Sequence, residues 1–140
     1  MSKLLIVDDD IRLRKLVRTY GEVEHYECDE AADGLAALEK LQNDNFDLVI
    51  LDVMMPGLDG FETLERIRKI SEIPVIMLTA RNEEYDKLTG FGLGVDDYVS
   101  KPFSPKELMA RVGAVLKRNG KKKSVLSYQY KELEIHPDSR

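Results

Sequence analysis

At 140 residues, 43% hydrophobic and 34% charged, the chain has the composition of one globular domain with room for a real core, which excludes disorder. Its net charge of -5 excludes a general pull toward nucleic acid or anionic membrane. A single cysteine, Cys28, excludes an internal disulfide and suits a reducing cytoplasm.

The first apolar run, Leu4-Leu5-Ile6-Val7, stops at three aspartates. It is too short for a secretory h-region, and no stretch approaches a membrane span. Apolar on both faces, it reads as a buried parallel strand. Leu13, Leu16, Val17 and Tyr20 then fall on one helical face. A weaker run around Tyr26-Glu27-Cys28 precedes a strong one at Leu48-Val49-Ile50-Leu51. Phe61, Leu64 and Ile67 mark another helix, Val75-Ile76-Met77-Leu78 another strand, and Tyr98-Val99 a brief last one. Leu108, Val112, Val115 and Leu116 close the pattern on a helix ending near Arg118. The alternation predicts an α/β fold, a flavodoxin-like, doubly wound parallel sheet of five strands with five helices on its two faces.

Beyond Arg118 the character changes. Residues 119–124, Asn-Gly-Lys-Lys-Lys-Ser, read as a polar linker whose lysines are a solvated tether. Residues 125–140 alternate weakly and are expected to open a second domain that this chain does not contain.

Polar residues follow each apolar run. Asp8-Asp9-Asp10 follow the first, Asp52 the third, Thr79 the fourth, and Ser100-Lys101 the last. Ligands of open parallel sheets bind just outside the carboxyl ends of the strands, so these groups are expected to converge. Clustered carboxylates repel unless a hard cation relieves them, and Mg²⁺ takes one or two carboxylates together with phosphate oxygens. A lysine opposite a phosphate and a carboxylate nucleophile complete what phosphoryl transfer needs. Asp10 is assigned largely to capping the following helix.

The segments Leu5-Ile6-Val7-Asp8-Asp9-Asp10, Leu51-Asp52-Val53-Met54-Met55-Pro56-Gly57-Leu58-Asp59-Gly60, Leu78-Thr79-Ala80 and Asp96-Asp97-Tyr98-Val99-Ser100-Lys101-Pro102-Phe103 resemble the receiver domain of bacterial two-component response regulators, from about Lys3 to Arg118. The resemblance implies that Asp52 is the phosphoacceptor, loaded by a sensor histidine kinase. It implies Asp9, Asp52 and the Met54 backbone carbonyl as Mg²⁺ ligands, with Asp8 acting partly through water and Mn²⁺ or Ca²⁺ as substitutes. Thr79 and Lys101 would contact the phosphoryl oxygens, and Thr79 with Tyr98 would form a switch pair. The Lys101–Pro102 bond resembles the family's cis peptide.

Lys101-Pro102-Phe103-Ser104-Pro105-Lys106-Glu107-Leu108, then Ala110-Arg111, is similar to the OmpR/PhoB winged-helix subfamily. The tail from Tyr130 to Arg140 resembles the first strands of its DNA-binding domain. This implies a receiver over 1–118, DNA contact through the missing domain, and a phosphorylation-promoted homodimer pairing Lys87 with Glu107, Asp97 with Arg111 and Asp96 with Arg118. Departures are mild: Ser100 stands where threonine is common, Val95 where alanine is, and Gly21 and Gly113 lie inside expected helices.

Gly90, Gly92 and Gly94 lack dinucleotide-fingerprint spacing and are expected to end a helix. His25 and His136, far apart, are expected as surface residues and not as metal ligands or phosphodonors, and Cys28 is expected to pack as a small apolar group. A Mg²⁺-dependent phosphatase with an aspartyl intermediate would want a second aspartate two residues after its nucleophile, where Met54 stands. A module that never takes phosphate is opposed by the acid, hydroxyl and lysine set. The expectation is a phosphoacceptor switch, not an enzyme beyond self-phosphorylation and autodephosphorylation.

Overall fold

The computed structural model describes residues 1–80 and 92–132, with 121–132 described as helical backbone alone. Five strands, β1 (Lys3–Val7), β2 (Glu27–Ala31), β3 (Leu48–Asp52), β4 (Val75–Thr79) and β5 (Asp97–Ser100), form one parallel sheet in the order β2-β1-β3-β4-β5. β3 and β4 are buried along their whole length, as continuous apolar runs in a two-sided sheet must be. β2 is polar because it is an edge strand, with only Cys28 and Ala31 buried.

Four helices are described: α1 (Ile11–Val23), α2 (Gly34–Asn43), α3 (Gly60–Arg68) and α4 (Pro105–Glu132). Alternation along the strands divides the core in two. Leu5, Val7, Val49, Leu51, Val75, Met77 and Tyr98 pack against α2 and α3 through Ala37, Leu64 and Ile67. Leu4, Ile6, Leu48, Ile50, Ile76, Leu78 and Val99 pack against α1 and α4 through Val17, Leu108, Val112 and Val115. Leu16, expected on the buried face of α1, is instead 42% exposed. The apolar stripe narrows there to Leu13, Val17 and Tyr20.

Each N-terminus of the first three helices is capped by an aspartate. Asp10 accepts from Arg12 N–H, Asp33 from Ala36 N–H, and Asp59 forms a reciprocal capping box with Glu62. Asp10 therefore holds the capping role expected of it. α4 opens with Pro105, suited to a first helical turn.

α4 also corrects an expectation. It runs on through Glu132 rather than ending near Arg118, so residues 119–124 are helical backbone and not an irregular tether. No proline interrupts 106–132, and lysine and arginine are good helix formers. Gly120 costs only up to about 1 kcal/mol against alanine. Of the tail expected to resemble strands from Tyr130 to Arg140, Tyr130–Glu132 continue α4, and the remainder, like Gly90, falls outside the described residues.

Gly21 lies inside α1 because an added Cβ would sit 2.8 Å from Cys28 Sγ; the helix and β2 approach too closely there for a side chain. Gly94 takes φ +92 and turns the chain toward β5. Among the described residues no helix is long and apolar enough to cross a membrane.

Candidate functional site: an acid cluster at the carboxyl edge of the sheet

The strand order reverses direction between β1 and β3, the switch point at which open α/β sheets bind ligands. Asp8 and Asp9 leave the end of β1 there, and Asp52 ends β3 beside them. One carboxylate oxygen from each of Asp8, Asp9 and Asp52 lies within 4.8 Å of the others. Asp8 and Asp52 are buried, whereas Asp9 is exposed. Lys101, just after β5, reaches across the sheet edge to set its Nζ 2.9 Å from Asp52 Oδ1 and 3.5 Å from Asp8 Oδ2. Four groups separated by up to most of the chain thus meet at one end of the sheet.

Burial is the largest force on both buried acids. It pushes the Asp8 carboxyl up to about 6, the repulsion from Asp52 and Asp9 adding to it while the Asp10 N–H and Lys101 pull the other way. Asp52 is likewise raised by burial and by Asp9, against the hydrogen bonds from Lys101 and from the Met54 backbone N–H. For Lys101, burial works against the ammonium, but the hydrogen bond and charge of Asp52 and the charge of Asp8 outweigh it, and its pKa is raised. The site holds more negative charge than one lysine neutralises.

Asp8 Oδ1 accepts the Asp10 N–H at 2.9 Å, but its buried Oδ2 accepts no hydrogen bond from the described residues. An anionic oxygen so placed, amid three convergent carboxylates, fits a hard divalent cation such as Mg²⁺. Binding must displace the proton of Asp8. The cation affinity is therefore expected to be flat above pH 7 and to fall by about tenfold per pH unit once well below 6, measurable by calorimetric titration with Mg²⁺ at several pH values. The linked effect on stability has the opposite sign. Folded Asp8 keeps its proton up to about 6, against 3.8 for the unperturbed group. Without cation it therefore adds stability as pH falls through that window, and the contribution is gone above it.

Thr79 ends β4, fully buried, and its carbonyl accepts the Lys101 N–H at 2.6 Å. The Lys101–Pro102 peptide is cis, the form that the resemblance implied. Tyr98 is buried opposite Met77, while Thr79 is opposite Ser100, so strand alternation puts Thr79 and Tyr98 on the same side of the sheet. Met54 is exposed in the loop after β3. Its neighbour Gly57 takes φ +75, a turn conformation that glycine adopts without strain.

Four of the six charged residues expected at a dimer face, Asp96, Asp97, Glu107 and Arg111, are engaged within the chain. Arg111 Nη1 donates to both carboxylate oxygens of Asp97, at 3.2 and 3.0 Å, and its other nitrogens to Glu107 Oε2 at 3.2 and 3.4 Å. Asp96 Oδ1 accepts the Val75 N–H at 2.9 Å and faces Arg68 Nη2 at 3.4 Å. Arg118 is exposed on α4. Lys87 lies outside the described residues.

Two residues that support the site carried no motif. Arg14 and Glu30 are 16 apart in sequence and bond across α1 and β2. The one available signal was an arginine between Leu13 and Val17, on the face of α1 turned to the sheet.

A family model described as the response regulator receiver domain matches residues 4–113. The chain belongs to that family. The receiver is 54% identical over 119 residues to a transcriptional regulatory protein CpxR homolog of Haemophilus influenzae, covering 85% of this chain and 52% of that protein. The chain thus spans about half the length of the curated relatives it matches. The solved receiver domain of the Francisella response regulator 1452 is 38% identical with a TM-score of 0.81, over 85% of this chain and 99% of that one. The Thermotoga maritima response regulator protein TrrA, solved in complex with Mg²⁺–BeF, is 38% identical with a TM-score of 0.75, over 82% and 99%.

Proposed function

We propose that this receiver accepts a phosphoryl group on Asp52 from the phosphohistidine of a sensor kinase, with Mg²⁺ in the acid cluster, and thereby switches an attached DNA-binding output domain. The observation that carries the reading is the Lys101 ammonium bonded to Asp52 Oδ1 at 2.9 Å beside the convergent oxygens of Asp8 and Asp9. In the transfer, an Asp52 oxygen attacks phosphorus, the P–N bond to the histidine breaks, and the imidazole leaves with the bonding pair. Asp8, Asp9, Asp52 and the Met54 carbonyl would hold Mg²⁺, Asp8 partly through water. The bound cation supplies neutralisation of charge on the phosphoryl oxygens. Lys101, freed from its pairing with Asp52, follows the phosphoryl group with its ammonium, and the Thr79 hydroxyl hydrogen-bonds it. The complex of TrrA with Mg²⁺–BeF supports this assignment, and Mn²⁺ or Ca²⁺ would serve in place of Mg²⁺.

The domain acts as a stoichiometric acceptor in the cytoplasm and not as a turnover catalyst. Its receiver unit covers at least the matched residues 4–113, and the output domain, of winged-helix type, would be attached beyond α4. Incubation with a small phosphodonor and Mg²⁺ tests the reading by mass. One phosphoryl adduct per chain, dependent on Mg²⁺ and removed by hydroxylamine, is expected. Sustained donor hydrolysis would instead indicate a phosphatase, and no adduct a module that never takes phosphate.

Output follows from two couplings. When Thr79 moves to the phosphoryl group, the Tyr98 ring turns into the space it leaves, a two-state element biased by local contacts. Thr79→Ala should keep the adduct yet abolish the change in Tyr98 ring resonances on adding a phosphate mimic; an unchanged response would refute the pairing. The second coupling is a two-fold dimer pairing Lys87 with Glu107, Asp97 with Arg111 and Asp96 with Arg118. It forms by exchanging the intrachain contacts of Arg111 and Asp96 for equivalent ones on a second copy. Exposed pairs are worth roughly 0–1 kcal/mol each, so the dimer should weaken with salt. In sedimentation, Arg111→Glu should keep the phosphate-mimic-bound protein monomeric, and adding Asp97→Arg should partly restore the dimer. A dimer indifferent to Arg111→Glu would refute this face.

A further inference from the structure

Asp8 is held at every polar atom of its backbone. Its N–H donates to Ala31 O at 3.2 Å, tying the end of β1 to β2. Its carbonyl accepts a hydrogen bond from Arg14 Nη1 at 2.7 Å. That carbonyl belongs to the peptide plane joining Asp8 to Asp9, so the bond fixes the orientation of two members of the acid cluster at once. The same guanidinium donates from Nε to Glu30 Oε1 at 3.0 Å. Glu30 sits on β2 in register with Ile6 of β1. The ion pair is nearly buried, 12% and 10% exposed at the two side chains. Glu30 is anchored in turn by Lys15 Nζ and Arg18 Nη1, each 2.9 Å from Oε2.

We infer that Arg14, clamped by Glu30, is a positioning residue that sets the Asp8–Asp9 peptide and so aims their carboxylates at the cation. The inference rests on the Mg²⁺ reading of the acid cluster. The device depends on the guanidinium fork, which presents Nε–H and Nη1–H to two acceptors in a fixed geometry that a lysine cannot reproduce. Outer groups of this kind typically govern metal affinity by about 10–100-fold.

Electrostatics makes the inference sharp, because it predicts the opposite sign. Deleting a positive charge near a cation site should tighten Mg²⁺ binding by Coulomb's law. Deleting a positioning residue should loosen it. Calorimetric titration of the full chain with Mg²⁺, with folding checked by circular dichroism, reads the difference. Arg14→Met is expected to raise the Mg²⁺ Kd about tenfold or more. Arg14→Lys keeps the charge and loses the fork, and should still raise it several-fold. Lys15→Met removes the same charge and another Glu30 partner but makes no contact with Asp8, and should leave Kd at the wild-type value or slightly tighter.

A folded Arg14→Met with wild-type or tighter Kd overturns the inference, as does a Lys15→Met loss equal to that of Arg14→Met. If Arg14→Met does not fold, Arg14→Lys decides by the same criterion. Wild-type protein that takes up no Mg²⁺ overturns the cation reading and this inference together, whereas wild-type uptake indifferent to Arg14 overturns the positioning role alone.

Discussion

Asp52→Asn should keep the fold and lose the phosphoryl adduct, to below about one-hundredth of the wild-type level, because the amide has no anionic oxygen to attack phosphorus. The amide is nearly the same shape as the carboxylate, and Asp52 is buried at the end of a fully buried strand, so packing is preserved. Mg²⁺ affinity should drop by at least about tenfold, one of three converging anionic ligands having become neutral. Stability should move the other way. Asp52 is a raised acid, pushed up by burial and by Asp9 against the pull of Lys101. Near pH 7 its charge is therefore unfavourable in the cation-free fold, and the variant should melt no lower than wild type. Lys101 keeps a carboxylate partner in Asp8 at 3.5 Å. Intact-mass spectrometry after phosphodonor treatment, with melting curves in parallel, checks both halves; adduct at wild-type stoichiometry would remove Asp52 from the reaction.

Gly60→Ala should be among the most destabilising single-methyl additions in the chain. Gly60 opens α3, and its N–H donates to Val53 O at 2.8 Å, which draws the helix start against the strand that carries Asp52. An added Cβ would meet the Asp52 carbonyl oxygen and lie 2.7 Å from Val53 Cα and 2.8 Å from Met77 Cε. Two of these three neighbours are backbone and cannot rotate away. Overpacking of this kind costs typically 1–3 kcal/mol, and the upper end is expected because the relief available is a shift of the loop carrying the phosphoacceptor. The melting temperature should fall on the order of 5–10 °C. Gly57→Ala is the contrast: nothing lies within 4 Å of its Cβ, but its φ of +75 disfavours a side chain, so a loss of about 1 kcal/mol is expected. Thermal melting of the two variants side by side reads the difference, and equal losses would contradict the close-approach account.

The parts of the fold that the sequence made legible are those whose signal is local. β1, β3 and β4 announce themselves as apolar runs because a central parallel strand is covered on both faces. β2 reads weakly because an edge strand, Glu-Cys-Asp-Glu-Ala, buries only two of its residues. The convergence of Asp8, Asp9, Asp52 and Lys101 was legible because acids and lysine follow the strands in order, and the topology brings the strand ends together. What was not legible depends on spatial neighbours. Gly21 looks like a helix-weakening residue until Cys28 is set against it, and the close approach of Gly60 to the Asp52 strand has no local signal. The exposure of Leu16 depends on how α1 is rotated over the sheet. The Arg14–Glu30 clamp joins two residues that no spacing rule connects, and Arg68 is similar: it donates to the carbonyls of Gly94 and Ile73, both at 2.7 Å, far from any motif. The run of α4 past Arg118 has an ambiguous signal, because glycine and lysines compose a linker as readily as a helix without proline.

The most direct test of the account is to locate the phosphoryl group chemically. Protein treated with a small phosphodonor and Mg²⁺ would be reduced with borohydride, which converts an aspartyl phosphate to the corresponding alcohol, then digested and sequenced by mass spectrometry. A single modified site, Asp52, is expected, and it should be lost when Mg²⁺ is withheld. Modification at Asp8, Asp9 or any other residue, or none in protein that binds Mg²⁺, would contradict it.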